Sequence, residues 1–190
     1  MDNGFVLCQG VDVDGVGELD SYIVKESDGF TGSLSAELIP KAVKAFLDSV
    51  PEPVFFFLEL PEDIDDYALY YLDNCTREVA FAVMERYGEL LVQDGISRFG
   101  FGSNKTGDEI YFKDYQEFML YSENPKIYLT ALSGLGAVMT DDRDKAVFLG
   151  DIISKRHEGT LTAVELNGET VFDIPEALEE AGMYHHITDE

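Results

Sequence analysis

The spacing of apolar residues changes period several times along the chain, and the changes mark its elements. The run VFFFLEL over residues 54–60 is short, aromatic and branched, and prolines flank it, which predicts a buried strand placed centrally in a sheet. PEDIDD then makes an acidic turn, and residues 67–72 return as a strand, so the two form a hairpin. Beyond Asn74 or Thr76 as N-cap the period lengthens. Ala80, Val83, Met84, Tyr87 and Leu91 recur at the 3, 4, 7 spacing of a helix burying one stripe, and Gly95 stands where a left-handed C-terminal cap belongs. From Ile96 the period returns to two. Phe99 and Phe101 share a face, the loop SNKTG follows, and EIYF completes an antiparallel hairpin, with residues 117–121 as a further strand. Residues 69–115 thus supply a strand, a helix and a hairpin around which the remaining chain is arranged.

The flanking segments are shorter. Residues 4–9 and 19–25 each predict a strand, joined by the turn-rich VDVDGVGE. Ser33 or Ser35 can cap a helix through about Val50, with Leu38, Ala42, Ala45, Phe46 and Leu47 near one face, Pro40 in its first turn, and Pro51 and Pro53 ending it. Asn124-Pro125 opens another helix that closes at Gly134 or Gly136. Asp141 or Asp142 caps one running through about Arg156, with Ala146, Leu149, Ile152 and Ile153 inward. Asn167-Gly168 between residues 161–166 and 170–172 is the strongest short hairpin signal. Asp173 and Glu176 form an aspartate version of a capping box for a short helix stopping at Gly182, and the tail 183–190 is expected to fray. Adjacent hairpins interspersed with helices, without strict βαβ alternation, predict one α+β domain with a mixed or mainly antiparallel sheet and about five helices.

Charge changes the picture most. The 190 residues carry 38 Asp and Glu against 13 Lys and Arg, a formal net charge of −25. Such a surface repels nucleic-acid phosphates and anionic lipid, and it reads either as a solvated, solubilising surface or as one complementary to a basic protein partner. The start MDNGFVLCQG has neither a basic region nor a long apolar stretch of the secretory type, and no apolar run approaches the ~20 residues needed to span a bilayer. Cys8 and Cys75 form no metal or disulfide framework and are expected as reduced thiols of a cytoplasmic protein.

Candidate chemistry is sparse. Asp12-Val-Asp14-Gly15-Val16 resembles the D-x-D-G element of haloacid-dehalogenase-type phosphatases, and that resemblance implies Asp12 as nucleophile, Asp14 as acid/base and a bound magnesium. The later acid pair such an enzyme needs is missing, since Gly150-Asp151 is followed by Lys155 and lies in a predicted helix. An EF-hand is excluded by the glycine directly after the second aspartate. Gly100-Phe-Gly102-Ser-Asn-Lys105-Thr106 leads into a strand, so it lacks the helix N-terminus that would hold phosphate and reads as a hairpin turn. His157 sits near a predicted helix C-terminus, where it favours the helix dipole, and His185 and His186 lie in the tail. No G-x-S-x-G or H-E-x-x-H occurs, and no metal site or cofactor is expected.

Acids cluster three times. Those at Asp141, Asp142 and Asp144, and at Glu176, Glu179 and Glu180, fall at predicted helix starts, where the dipole favours them. The first cluster, Glu59, Glu62, Asp63, Asp65 and Asp66, is denser than a turn requires, and Tyr67, Tyr70 and Tyr71 beside it could act as aromatic anchors. These residues form the expected partner-binding surface. An acidic α+β chain without catalytic signature, with the segment DGISRFGFGSNKTGDEIYFKDY, is similar as a class to the immunity proteins of bacterial toxin systems. That resemblance implies a non-enzymatic inhibitor that occludes a basic toxin. The alternative is a magnesium-dependent phosphohydrolase using Asp12 and Asp14.

Overall fold

A computed structural model describes residues 4–14, 19–63, 66–156 and 159–187. In chain order the elements are β1 (Val11–Asp12), β2 (Tyr22–Lys25), β3 (Gly29–Ser33), α1 (Ile39–Ser49), β4 (Val54–Asp63), β5 (Asp66–Cys75), α2 (Arg77–Gln93), β6 (Arg98–Ser103) and β7 (Glu109–Phe112). They continue with β8 (Glu117–Tyr121), α3 (Leu129–Ser133), β9 (Val138–Thr140), α4 (Leu149–Arg156), β10 (Thr160–Leu161), α5 (Ile174–Ala177) and β11 (Tyr184–His186). Nine strands form one sheet in the order β11-β5-β4-β6-β7-β8-β3-β2-β9, and β1 pairs with β10 separately. Every neighbour in the large sheet is antiparallel except the parallel pair β2 and β9. The fold is therefore the expected α+β domain with a mixed, mainly antiparallel sheet and, among the described residues, five α-helices.

The VFFFLEL strand has neighbours on both sides, as its apolar run requires, and the helix after it starts where Thr76 Oγ1 accepts the Val79 N–H. Alternation along the strands decides which residues meet α1 and α2. Phe56, Leu58, Phe101, Ile110 and Phe118 point to the helix side and are fully buried, joined there by Phe46 and Leu47 of α1 and by Ala80, Val83 and Leu91 of α2. The Phe56 and Phe101 rings meet at 5.2 Å, and Phe46 stacks on Tyr128 at 5.5 Å.

Several local expectations are corrected. Residues 4–9 form no strand, because side chains take the hydrogen bonds a ladder would use: Ser35 Oγ accepts from Val6 N, Gln116 Oε1 from Cys8 N, and Gln93 Oε1 from Gln9 N. The buried Gln116, held at φ 59°, also donates Nε2 to the carbonyls of Val6 and Leu34. Ser33 belongs to β3 and Ser35 is engaged with Val6, so neither caps α1, which follows Leu38 with no side-chain cap. Gly95 is no left-handed cap. A Cβ there would collide with the Gly10 backbone, and the absence of one lets Gly95, Gly10 and Thr162 exchange backbone hydrogen bonds. Asp94 ends α2 instead, its carboxylate accepting from the backbone of Ile96, Ser97 and Val164.

The predicted helix from Asp141 or Asp142 breaks in two. Asp142 caps a 3₁₀ turn, and α4 starts only at Leu149. Asn167 and Gly168 do make a left-handed tight turn, but it is closed by a single bridge between Leu166 and Glu169. The capping box lies one step earlier than expected, between Thr170 and Asp173. Within the tail, residues 184–186 are an edge strand on β5, with Tyr184 Oη donating to Asp73 at 2.6 Å. The short strands β3 and β9 had no signal in the apolar pattern.

Candidate functional site

The register of the sheet sets one residue from every strand in a single row: Tyr184, Tyr71, Phe57, Gly100, Tyr111, Met119, Thr31, Val24 and Thr140. Because side chains alternate along a strand, this row faces away from α1 and α2. Ala146 and Phe148 cover it at Val24. At β8 and β11 the face is open, with Met119 49%, Tyr121 52% and Tyr184 44% exposed, while Phe57 between them is 4% exposed under its neighbouring rings. Phe57 lies between Tyr71 at 6.0 Å and Tyr111 at 5.4 Å, and Phe55 meets Tyr71 at 5.9 Å. Glycines make this arrangement possible. A Cβ on Gly100 would run into the Phe57 ring and one on Gly102 into Phe55, so both rings lie over bare backbone of β6. The glycines of the hairpin motif thus seat aromatic rings.

Carboxylates frame the rings. Glu109 stands opposite Gly102 and Tyr121, and Glu59 opposite Arg98 and Leu69. Glu59 accepts from Tyr111 Oη at 2.6 Å. Burial, and then the negative charge of Glu59, push the Glu109 carboxyl above the usual carboxylate range. Burial, followed by the charges of Glu109, Asp73 and Glu59, raises the Tyr71 phenol, so three carboxylates share the field around that ring. Cations lie beside them: Lys113 Nζ stands 4.0 Å from Met119 Sδ, and the Arg98 guanidinium lies over Tyr67 at 4.0 Å, forms two bonds to Asp114 at 2.9 and 2.7 Å, and stands 3.9 Å from Glu59.

The residues predicted to bind a partner are split by the sheet. Glu62, Asp63 and Asp66 are exposed at the β4–β5 tip, while Asp65 lies outside the described residues. Glu59 and Tyr67 face the open side but are already engaged, with Tyr111 and Arg98. Tyr70 is corrected. It lies on the opposite side from Tyr67, packed on the core and stacked on His185 at 5.0 Å. Tyr71 belongs to the open face. Phe55, Glu109, Tyr111, Met119, Tyr121 and Tyr184 were not anticipated there. For Phe55 a signal is present: residues 54–58 are apolar at every position, although an antiparallel strand with one solvated face ordinarily alternates.

Asp12 and Asp14 are exposed and line a hollow of about 170 Å³ with Gly159 and Thr160. Gly15 and Val16 of that motif lie outside the described residues, as does His157. Asp151, the remaining acid that the phosphatase resemblance calls on, is paired with Arg143 at 2.9 Å. Among the described residues, no three His, Cys, Asp or Glu side chains stand close enough together to hold a metal ion. Residues 103–107 are the expected hairpin turn, where Ser103 Oγ accepts from the backbone of Lys105 and Thr106. Cys8 and Cys75 are buried, and burial pushes the Cys8 thiol up to about 12, far from the reactive thiolate range. No helix of the described residues is long and apolar enough to cross a membrane.

The side chains brought together can hold a flat apolar or cationic surface against aromatic rings and carboxylates. Searches against protein-family models, curated proteins and solved structures found no match to this chain.

Proposed function

We propose that the protein is a non-enzymatic, acidic binding protein of the immunity type, which inhibits a basic bacterial toxin in the cytoplasm by occluding its surface. The observation that carries this reading is the open sheet face. A continuous aromatic row with half-exposed Met119, Tyr121 and Tyr184 is more apolar surface than a solvated sheet face needs, and such patches mark interaction sites. Tyr and Met are favoured interface residues, and the surrounding carboxylates match a cationic partner. The net charge of −25 adds long-range attraction, which accelerates encounter and weakens as salt is added. The acidic tip at Glu62, Asp63 and Asp66 extends the same field beyond the sheet.

The test is association with a panel of basic bacterial nucleases from low to high salt, followed by nuclease activity. The reading expects at least one complex whose association rate falls steeply with ionic strength and whose nuclease is inhibited. Association indifferent to salt, or complexes that leave every nuclease active, would count against it.

A further inference from the structure

The open face already recognises one guanidinium, its own. Arg98 lies over an aromatic ring at 4.0 Å and is held by carboxylates, an arrangement that suits a planar, always charged group. The same two ingredients recur along the aromatic row beyond Arg98, which reaches Glu59 at 3.9 Å, and Lys113, whose ammonium lies 4.0 Å from Met119 Sδ. Tyr71 is flanked by Phe55 and Phe57, and Glu109, Asp73 and Glu59 all act on it. Among the described residues nothing cationic offsets the burial of Glu109 or its repulsion from Glu59. At the other end of the face, Tyr121 and Met119 border a hollow of about 100 Å³ with Glu26 and Asp28.

Tyr71 and Tyr121 lie on β5 and β8, four strand steps apart in the order β5-β4-β6-β7-β8. At about 4.8 Å per step that is about 19 Å, the length of roughly six residues of extended chain. We infer that the open face docks an extended, arginine-bearing segment of a basic protein, laid across the strands. One guanidinium rests on Tyr71 beside Glu109 and Asp73, and a second sits in the hollow of Glu26 and Asp28. The inference rests on the reading of the chain as an acidic binding protein, and it names the surface and the chemistry that surface selects. Arginine is favoured over lysine because the rings offer faces to stack on and the carboxylates offer bidentate acceptors.

The experiment is an amide-shift titration of the full chain at low salt. Its probes are a hexapeptide with arginine at both ends and serine between, the lysine counterpart, and a glutamine counterpart. The expected result is shifts concentrated at Tyr71, Glu109, Met119 and Tyr121, and binding of the arginine peptide at least threefold tighter than the lysine one. Tyr71→Leu and Glu109→Gln should each weaken it about three- to tenfold, and Glu89→Gln on the outer side of α2 should not. Shifts centred on residues 62–66 or on α2, indifference to both face variants, or equal binding of the lysine peptide would overturn the inference and leave the acidic-binder reading standing. If no cationic peptide binds at low salt, both fall.

Discussion

The two faces of the large sheet are made by the same strands and differ only in which alternate residues they present. On the helix side Phe56, Leu58, Phe101 and Ile110 are sealed under α1 and α2. On the open side Phe55, Phe57, Tyr71 and Tyr111 pack on one another over bare glycine backbone, with Met119, Tyr121 and Tyr184 half exposed and Glu59, Glu109 and Asp73 among them. Apolar residues on the first face stabilise the fold, because folding removes them from water. On the second face Phe57 is already buried by its neighbours, whereas Met119, Tyr121 and Tyr184 remain available to remove from water on binding. A strand apolar at every position is therefore not evidence that both its faces are covered.

This contrast can be broken by substitution. Phe101→Ala on the covered face should cost about 3–5 kcal/mol in denaturant unfolding, since it removes a fully buried ring and leaves a cavity. Gln116→Ala should cost about 2–3 kcal/mol, because it strands the Cys8 N–H and the Leu34 carbonyl at a buried position. Glu109→Gln on the open face should act in the opposite direction. Its carboxyl is raised in the folded chain, so the native state holds the proton more tightly and Glu109 weakens the fold as pH rises through the window above the ordinary glutamate value. The variant should be slightly more stable than the parent at neutral pH, and the difference should vanish below the ordinary glutamate range. Tyr121→Ser and Met119→Gln should change stability by no more than about 0.5 kcal/mol, as exposed positions do, while still weakening association. A large stability loss at either would mean that the open face is a second core.

Much of the fold was legible because period and punctuation agreed. The apolar run at 54–60, the stripe on α2 capped by Thr76, and the strands around the SNKTG loop each had several local signals pointing one way. What was not legible depends on partners distant in sequence. Residues 4–9 lose their strand to side chains at Ser35, Gln93 and Gln116, up to 108 positions away. Strands β9 and β11, three residues each, exist only because β2 and β5 present edges to them. The acidic tip was visible as a cluster of charge, whereas the aromatic face needed the register. Parity alone could have separated Tyr70 from Tyr67 and Tyr71, since neighbouring strand residues point to opposite sides. It could not have shown which side the helices cover.

The central claim is that the open face, not net acidity alone, holds the partner. Charge reversal at two places separates these, because Glu109→Lys on the open face and Glu89→Lys on α2 change the net charge equally. The measurement is the dissociation constant of each variant, beside the parent, for a basic nuclease that the parent binds, at physiological salt and with folding checked by thermal unfolding. The account predicts about a tenfold or greater loss for Glu109→Lys and a loss of about twofold or less for Glu89→Lys. Equal losses would contradict it, because the partner would then be reading the total charge of the molecule and no particular face.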